Sequence, residues 1–183
     1  MKRFLLVLAI LAIAPPALAQ TPPAAPLAPL HDGVHDFDFA VGTFHTHIRR
    51  APDPFGEPGK WRTYDGIKTT RPILDGNGHV ETIEADGPSH LSVLNLFFYD
   101  KTTHQWNLYF PQGTDVGAPA TGEFHDGVGT FVGSDSYKGR NMLVRQQWSP
   151  TGPNSYHFEQ SFSADFGKTW VANFMADLVR IKR

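Results

Sequence analysis

The sequence predicts an all-β domain, an antiparallel up-and-down barrel of about ten strands preceded by a short helical or irregular segment. Three observations carry this. Turn signals recur at close intervals: Asp75-Gly76-Asn77-Gly78, Tyr99-Asp100-Lys101, His125-Asp126-Gly127, Lys138-Gly139, Pro150-Thr151-Gly152-Pro153 and Phe166-Gly167. The runs between them are rich in aromatic and β-branched residues, as from Leu91 to Tyr99 and from Trp106 to Phe110. Beyond the first residues no segment sustains a 3.6-residue period. No crossover helix is available, and neighbours joined by hairpins are the simplest topology.

The elements follow in chain order. Met1-Lys2-Arg3, the apolar run Phe4 to Ala14 and Ala17-Leu18-Ala19 read as an export signal over 1–19, with a basic start and a small-residue cleavage site. The run is too short for a membrane span, Pro15-Pro16 interrupts it, and no second such run follows. Residues 20–34 read as a Pro/Ala-rich linker, since four prolines between Gln20 and Leu30 favour extended chain with little to pack. A barrel domain is expected over 35–183. It opens on an irregular piece from His35 to Val41, and strands follow at 40–50, 60–72, 78–86, 90–99, 105–111, 119–125, 128–134, 140–149, 154–163 and 169–182.

Composition removes whole classes of function. Cysteine is absent, which excludes disulfides, a thiol nucleophile, iron–sulfur ligation and thiolate zinc. Without Lys2 and Arg3, 14 basic residues face 18 acidic ones, a net charge of −4 with histidine neutral. A mildly acidic chain with no Lys/Arg cluster lacks the footprint of a nucleic-acid or anionic-membrane binder. The expected location is the periplasm or the medium.

Alternation assigns side chains to faces. Tyr156, Phe158, Gln160 and Phe162 share one face. Trp170, Ala172, Phe174, Ala176 and Leu178 share another, and Phe44, Thr46 and Ile48 lie opposite His45, His47 and Arg49. With 13% aromatic residues, the inward faces either fill such a barrel or surround one small ligand.

Several segments carry a resemblance. Asp36-Phe37-Asp38-Phe39-Ala40-Val41-Gly42-Thr43-Phe44 resembles the DFWxGxW opening of a bacterial lipocalin-like family, with Phe44 in the place of the tryptophan. Arg71-Pro72-Ile73-Leu74-Asp75-Gly76, Tyr99-Asp100 before Trp106, Phe124-His125-Asp126-Gly127, Arg145 with Trp148, and Glu159-Gln160 before Gly167-Lys168-Thr169-Trp170 follow in the order of that pattern. The resemblance implies a calycin-type antiparallel barrel with a cavity open at one end. It implies no established reaction.

Ser163-Ala164-Asp165-Phe166-Gly167-Lys168-Thr169-Trp170 matches the Asp-box of sialidases, a hairpin in which Ser and Asp bond turn backbone, Gly takes positive φ and Trp packs beneath. One copy in a chain too short for a propeller reads as a turn. The histidines read as non-ligands: His45 and His47 face solvent, His31 and His35 lie near the start, and His125 sits in a turn. No metal and no cofactor is therefore expected. No nucleophile elbow or zinc helix is present, and the glycines from Gly127 to Gly133 read as close strand packing.

Polar residues set among apolar strands remain as ligand-binding candidates: Glu81, Arg145, Gln160 and Asn173, with Trp106, Tyr109 and Tyr156 as aromatic walls. Arg145 suits a ligand carboxylate or an ion pair with Glu81 or Glu159, and Glu81 is the one candidate base. The favoured function is an exported protein binding a small apolar or amphipathic molecule. The alternative is a cofactor-independent lyase, isomerase or hydrolase using the same cavity; no catalytic residue is assigned. No feature sets an oligomeric state.

Overall fold

Burial alternates along the strands of the computed structural model, which describes residues 31–56 and 60–182; the expected export signal and most of the expected linker lie outside them. The strands are β1 (Gly42–Arg50), β2 (Arg62–Ile73), β3 (Gly78–Asp86), β4 (His90–Asp100), β5 (Gln105–Tyr109), β6 (Ala120–His125), β7 (Val128–Tyr137), β8 (Arg140–Gly152), β9 (Ser155–Ser163) and β10 (Val171–Lys182). Each pairs antiparallel with its chain neighbours, and β10 pairs with β1, so the sheet closes into a barrel without an edge. The ten expected strands are all present. The largest differences in extent are at β7 and β8, which run on through the polar residues up to Tyr137 and after Ser149 because their hairpin partners keep the ladder going.

Glycine serves close packing where the sequence grouped it. Gly129 faces inward, and a Cβ there would stand 2.6 Å from the Phe124 ring. The Asp-box folds as the expected turn. Ser163 Oγ accepts the Gly167 N–H at 2.8 Å, Asp165 accepts the Thr169 N–H at 2.9 Å, and Trp170 Nε1 donates to the Gly167 carbonyl at 3.1 Å.

One expectation about faces is corrected. The register of β10 shifts between Ala172 and Phe174, a bulge that breaks the single apolar face expected from Trp170 to Leu178. Ala172 pairs with Ser161, whereas Phe174, Ala176 and Leu178 pair with Gln160, Phe158 and Tyr156.

The segment before β1 closes one end. It contains a single 3-10 turn, Asp38–Ala40, and inserts Phe37 into the barrel with no exposed surface. The Phe37 ring meets Phe39, His79, Phe97, Trp106, Phe124, Phe131 and Trp148 at centroid distances from 4.9 to 6.3 Å. Its backbone is held as firmly. Trp106 Nε1 donates to the Gly33 carbonyl at 2.9 Å, and Tyr99 Oη accepts the Gly33 N–H at 3.0 Å. Lys68 Nζ donates to the Ala40 carbonyl at 2.7 Å, and Arg180 donates to the carbonyls of Phe39 and Val41. Such bonds matter because a 3-10 turn this short cannot satisfy its own terminal carbonyls.

Candidate functional site

Inward side chains differ between the two halves of the barrel. Around Phe37, Phe44, Phe97, Trp106, Phe131 and Trp148 are fully buried, and this half is solid. Toward the opposite rim Ile48, Tyr64, Ile83 and Ala85 are buried too, whereas the inward residues Leu91, Val93, Phe110 and Phe174 are only partly buried. The mouth of this half, the cup, is the less fully buried end of the interior. The chain after β1 runs from β10, where the Ala51 N–H donates to the Asn173 carbonyl at 2.8 Å, to the β7–β8 turn, where Lys138 Nζ meets Asp53 at 2.6 Å and the Phe55 ring lies 6.2 Å from Tyr137.

A polar belt separates the halves. Reading inward positions along each strand, Thr46 lies between Phe44 and Ile48, Glu81 between His79 and Ile83, Asn95 between Val93 and Phe97, Gln146 between Val144 and Trp148, and Gln160 between Phe158 and Phe162. Lys68 joins them from β2. Its Nζ lies 3.1 Å from Glu81 Oε2, and both side chains are almost entirely buried. Glu81 also accepts from Thr70 Oγ1 at 3.0 Å and Asn95 Nδ2 at 2.9 Å. Burial pushes the Lys68 ammonium below its usual range, opposed by the adjacent carboxylate. The ammonium also faces the Phe44 and Tyr156 rings at 4.8 and 5.2 Å. A pair satisfied on this many sides tolerates burial; removing one member would strand the other.

The sequence candidates separate accordingly. Glu81, Trp106, Tyr156, Gln160 and Asn173 belong to the interior. Trp106 and Tyr156 are committed to the solid half, Trp106 through Gly33 and Tyr156 against Phe39 and Phe44, and burial raises the Tyr156 phenol well above its usual value. Gln146 Nε2 donates to Gln160 Oε1 at 3.1 Å, and Gln160 Nε2 to Asn173 Oδ1 at 3.3 Å, making a short amide chain on the cup side. Arg145 and Tyr109 are not interior. Arg145 alternates with the buried Val144 and Gln146, and its guanidinium lies 4.6 Å from the Trp170 ring centre. Tyr109 packs outside against Phe98 at 5.9 Å. Glu81 therefore pairs with Lys68 rather than Arg145.

Thr46, Lys68, His79, Asn95 and Gln146 were not singled out by the sequence, although the same alternation places each inward. His79 is buried, stacks on Trp106 at 5.3 Å and has its imidazole pKa lowered by burial. Outside the barrel, a groove of about 430 Å³ lies between the plug and neighbouring turns, lined by His31, Asp36, Phe39, Phe124, His125 and Pro150 among others. On the outer wall, His157, Asp177, His47, Asp65, Asp86 and His90 pair in register across six strands. Among the described residues no group of three or more such side chains has metal-binding geometry.

An S-type phycobiliprotein lyase, CPES, from Guillardia theta is similar in structure to this chain. The TM-score is 0.57 at 12% identity, covering 85% of this chain and 99% of that one. The fold is a lipocalin-like, calycin-type barrel. No protein-family model and no curated protein matches the chain. Within a lipocalin-like barrel, the interior is the place to seek a ligand.

Proposed function

We propose that this chain is an exported small-molecule-binding protein that holds an apolar or amphipathic ligand in the open half of its barrel. The observation that carries the reading is the partial exposure of Leu91, Val93, Phe110 and Phe174, which point inward yet are only partly buried. Covering such surface is favourable by roughly 25 cal/mol per Å² of apolar area removed from water. The fold likeness to a phycobiliprotein lyase is consistent with a small-molecule partner.

Binding is favoured over the alternative lyase, isomerase or hydrolase reading by the state of Glu81. Lys68, Thr70 and Asn95 already occupy its oxygens. A general base needs a substrate proton within hydrogen-bond reach. Native mass spectrometry of protein purified without refolding tests the proposal. A retained small molecule is the expected result, with a polypeptide mass beginning at Gln20 if the export signal is removed. A bare protein that also fails to take up a neutral apolar dye would contradict it.

A further inference from the structure

One arc of the barrel rim gathers exposed cations and exposed aromatic rings. In the closed sheet β2, β1, β10, β9, β8 and β7 are neighbours in that order. The start of β2, the end of β1, the β9–β10 turn and the β7–β8 turn all lie at the end that carries the mouth of the cup. They bring Arg62, Arg49, Arg50, Lys168, Lys138 and Arg140 to one side of the rim, and all of these are exposed. The described acidic residues of the same arc are already engaged. Asp53 meets Lys138 at 2.6 Å, Asp65 meets His47 at 2.8 Å, Asp135 accepts the Ser136 N–H at 2.6 Å, and Asp165 is held by Thr169 within its turn. At the opposite end of the barrel lie Asp32, Asp36, Asp38, Asp75, Asp100 and Asp126.

Two features of the arc serve nothing in the fold. Arg50 and Arg62 stand directly opposite one another in the β1–β2 ladder, and neither guanidinium has a partner among the described residues. Like charges so placed destabilise a sheet. Phe166, at the tip of the β9–β10 turn, is 93% exposed, the most of any large apolar residue described. Its backbone sits at φ 60°, the left-handed region in which a bulky side chain is strained. Hydrogen bonds from Ser163, Asp165 and Trp170 fix this turn, so the ring is held out into solvent. Phe55, 42% exposed, adds a second ring where its segment reaches the β7–β8 turn.

Unneutralised cations around a projecting aromatic ring match a surface that offers negative charge with an apolar layer beneath it. A soluble polyanion would use the cations and leave Phe166 in water. We propose that this arc docks on an anionic lipid surface, with Phe166 entering the boundary between headgroups and acyl chains and Arg50, Arg62, Arg140 and Lys168 meeting lipid phosphates. Docking places the mouth of the cup against the bilayer, although the lipid contact itself does not depend on the binding role proposed above. The sequence shows no Lys/Arg cluster because the strands collect the arc from separate stretches of chain.

Sedimentation of the whole mature chain with vesicles tests this, using phosphatidylcholine alone and an equal mixture with phosphatidylglycerol. The expected result is binding to the mixture at least about tenfold tighter, lost at about 1 M salt, where the Debye length is about 3 Å. Phe166→Ser should weaken binding to the mixture about fivefold without lowering the urea midpoint. Arg50→Gln with Arg62→Gln should weaken it about tenfold or more, and Arg71→Gln with Lys101→Gln, at the opposite end, less than about twofold. No binding to either vesicle, equal binding to both, or equal losses in the two double variants would overturn the docking. So would single-stranded DNA binding as tightly as the mixed vesicles with Phe166→Ser unaffected, which would assign the arc to a soluble polyanion. Each of these failures leaves the cup standing, since native mass spectrometry reads ligand retention without vesicles.

Discussion

The two halves of this barrel are made from the same ten strands with the same alternation, yet they have different interiors. In one half Phe37 enters from outside the sheet and aromatic rings close around it. In the other, inward Leu91, Val93, Phe110 and Phe174 are only partly buried. What separates them is the segment that fills one end. A closed sheet sets the width of the interior, and what is inserted decides how much remains.

Truncation at matched positions should break or sharpen this contrast most strongly. Phe37→Ala removes a ring enclosed on every side and is expected to cost about 3–5 kcal/mol in urea denaturation, whereas Phe174→Ala should cost only about 1–2 kcal/mol. Equal losses would mean that the halves are packed alike. The belt comes next. Lys68→Met alone strands Glu81 in the interior and should cost about 3 kcal/mol, while Lys68→Met with Glu81→Leu should recover most of it in the same measurement. A double variant no better than the single one would show that the pair stabilises the barrel through more than charge neutralisation.

Filling the cup probes its emptiness. Val93→Trp should abolish uptake of a neutral naphthalene probe and change stability by less than about 1 kcal/mol, because overpacking is costly only where no space exists. A large loss of stability would place Val93 in a filled region.

The smallest effects concern pH and lie outside both halves. The Thr169 N–H and hydroxyl, with Ser163, hold the Asp165 carboxyl down to about 2. Its contribution is therefore present above the ordinary carboxylate value and lost as pH falls toward about 2. Asp165→Asn should flatten that part of the acid denaturation profile. His90 shifts the opposite way, raised by its hydrogen bonds to Asp86 and Glu84. Its contribution is complete below the ordinary histidine value of 6.5 and disappears as pH rises through the raised one. His90→Gln should remove that slope from urea midpoints measured across neutral pH.

The strands and the Asp-box were legible because both are local. Alternation, turn residues and the Ser163–Trp170 spacing are fixed within a few positions of one another. The plug was not. Phe37 lies in a motif of similar aromatics, and its depth depends on partners far along the chain, including the bond from Trp106 to Gly33. Arg145 and Tyr109 were drawn inside by residue type, although the alternation of Val144 and Gln146, and of Leu108 and Phe110, points them outward. The same rule would have placed Lys68 inward beside Tyr64 and Thr70. A lysine in a strand is far more often a solvated side chain, and its partner Glu81 lies across a hairpin.

The central claim is that ligand enters the half lined by Leu91 and Val93 and not the half around Phe37. Methyl chemical shifts of Leu and Val residues, followed by NMR during titration with 2-naphthol, test it most directly. The expected result is saturable movement of Leu91, Val93 and Val144, with Leu178, packed behind the belt, unchanged. Movement confined to outer-face methyls such as Val132 or Val179, with Leu91 and Val93 still, would contradict it.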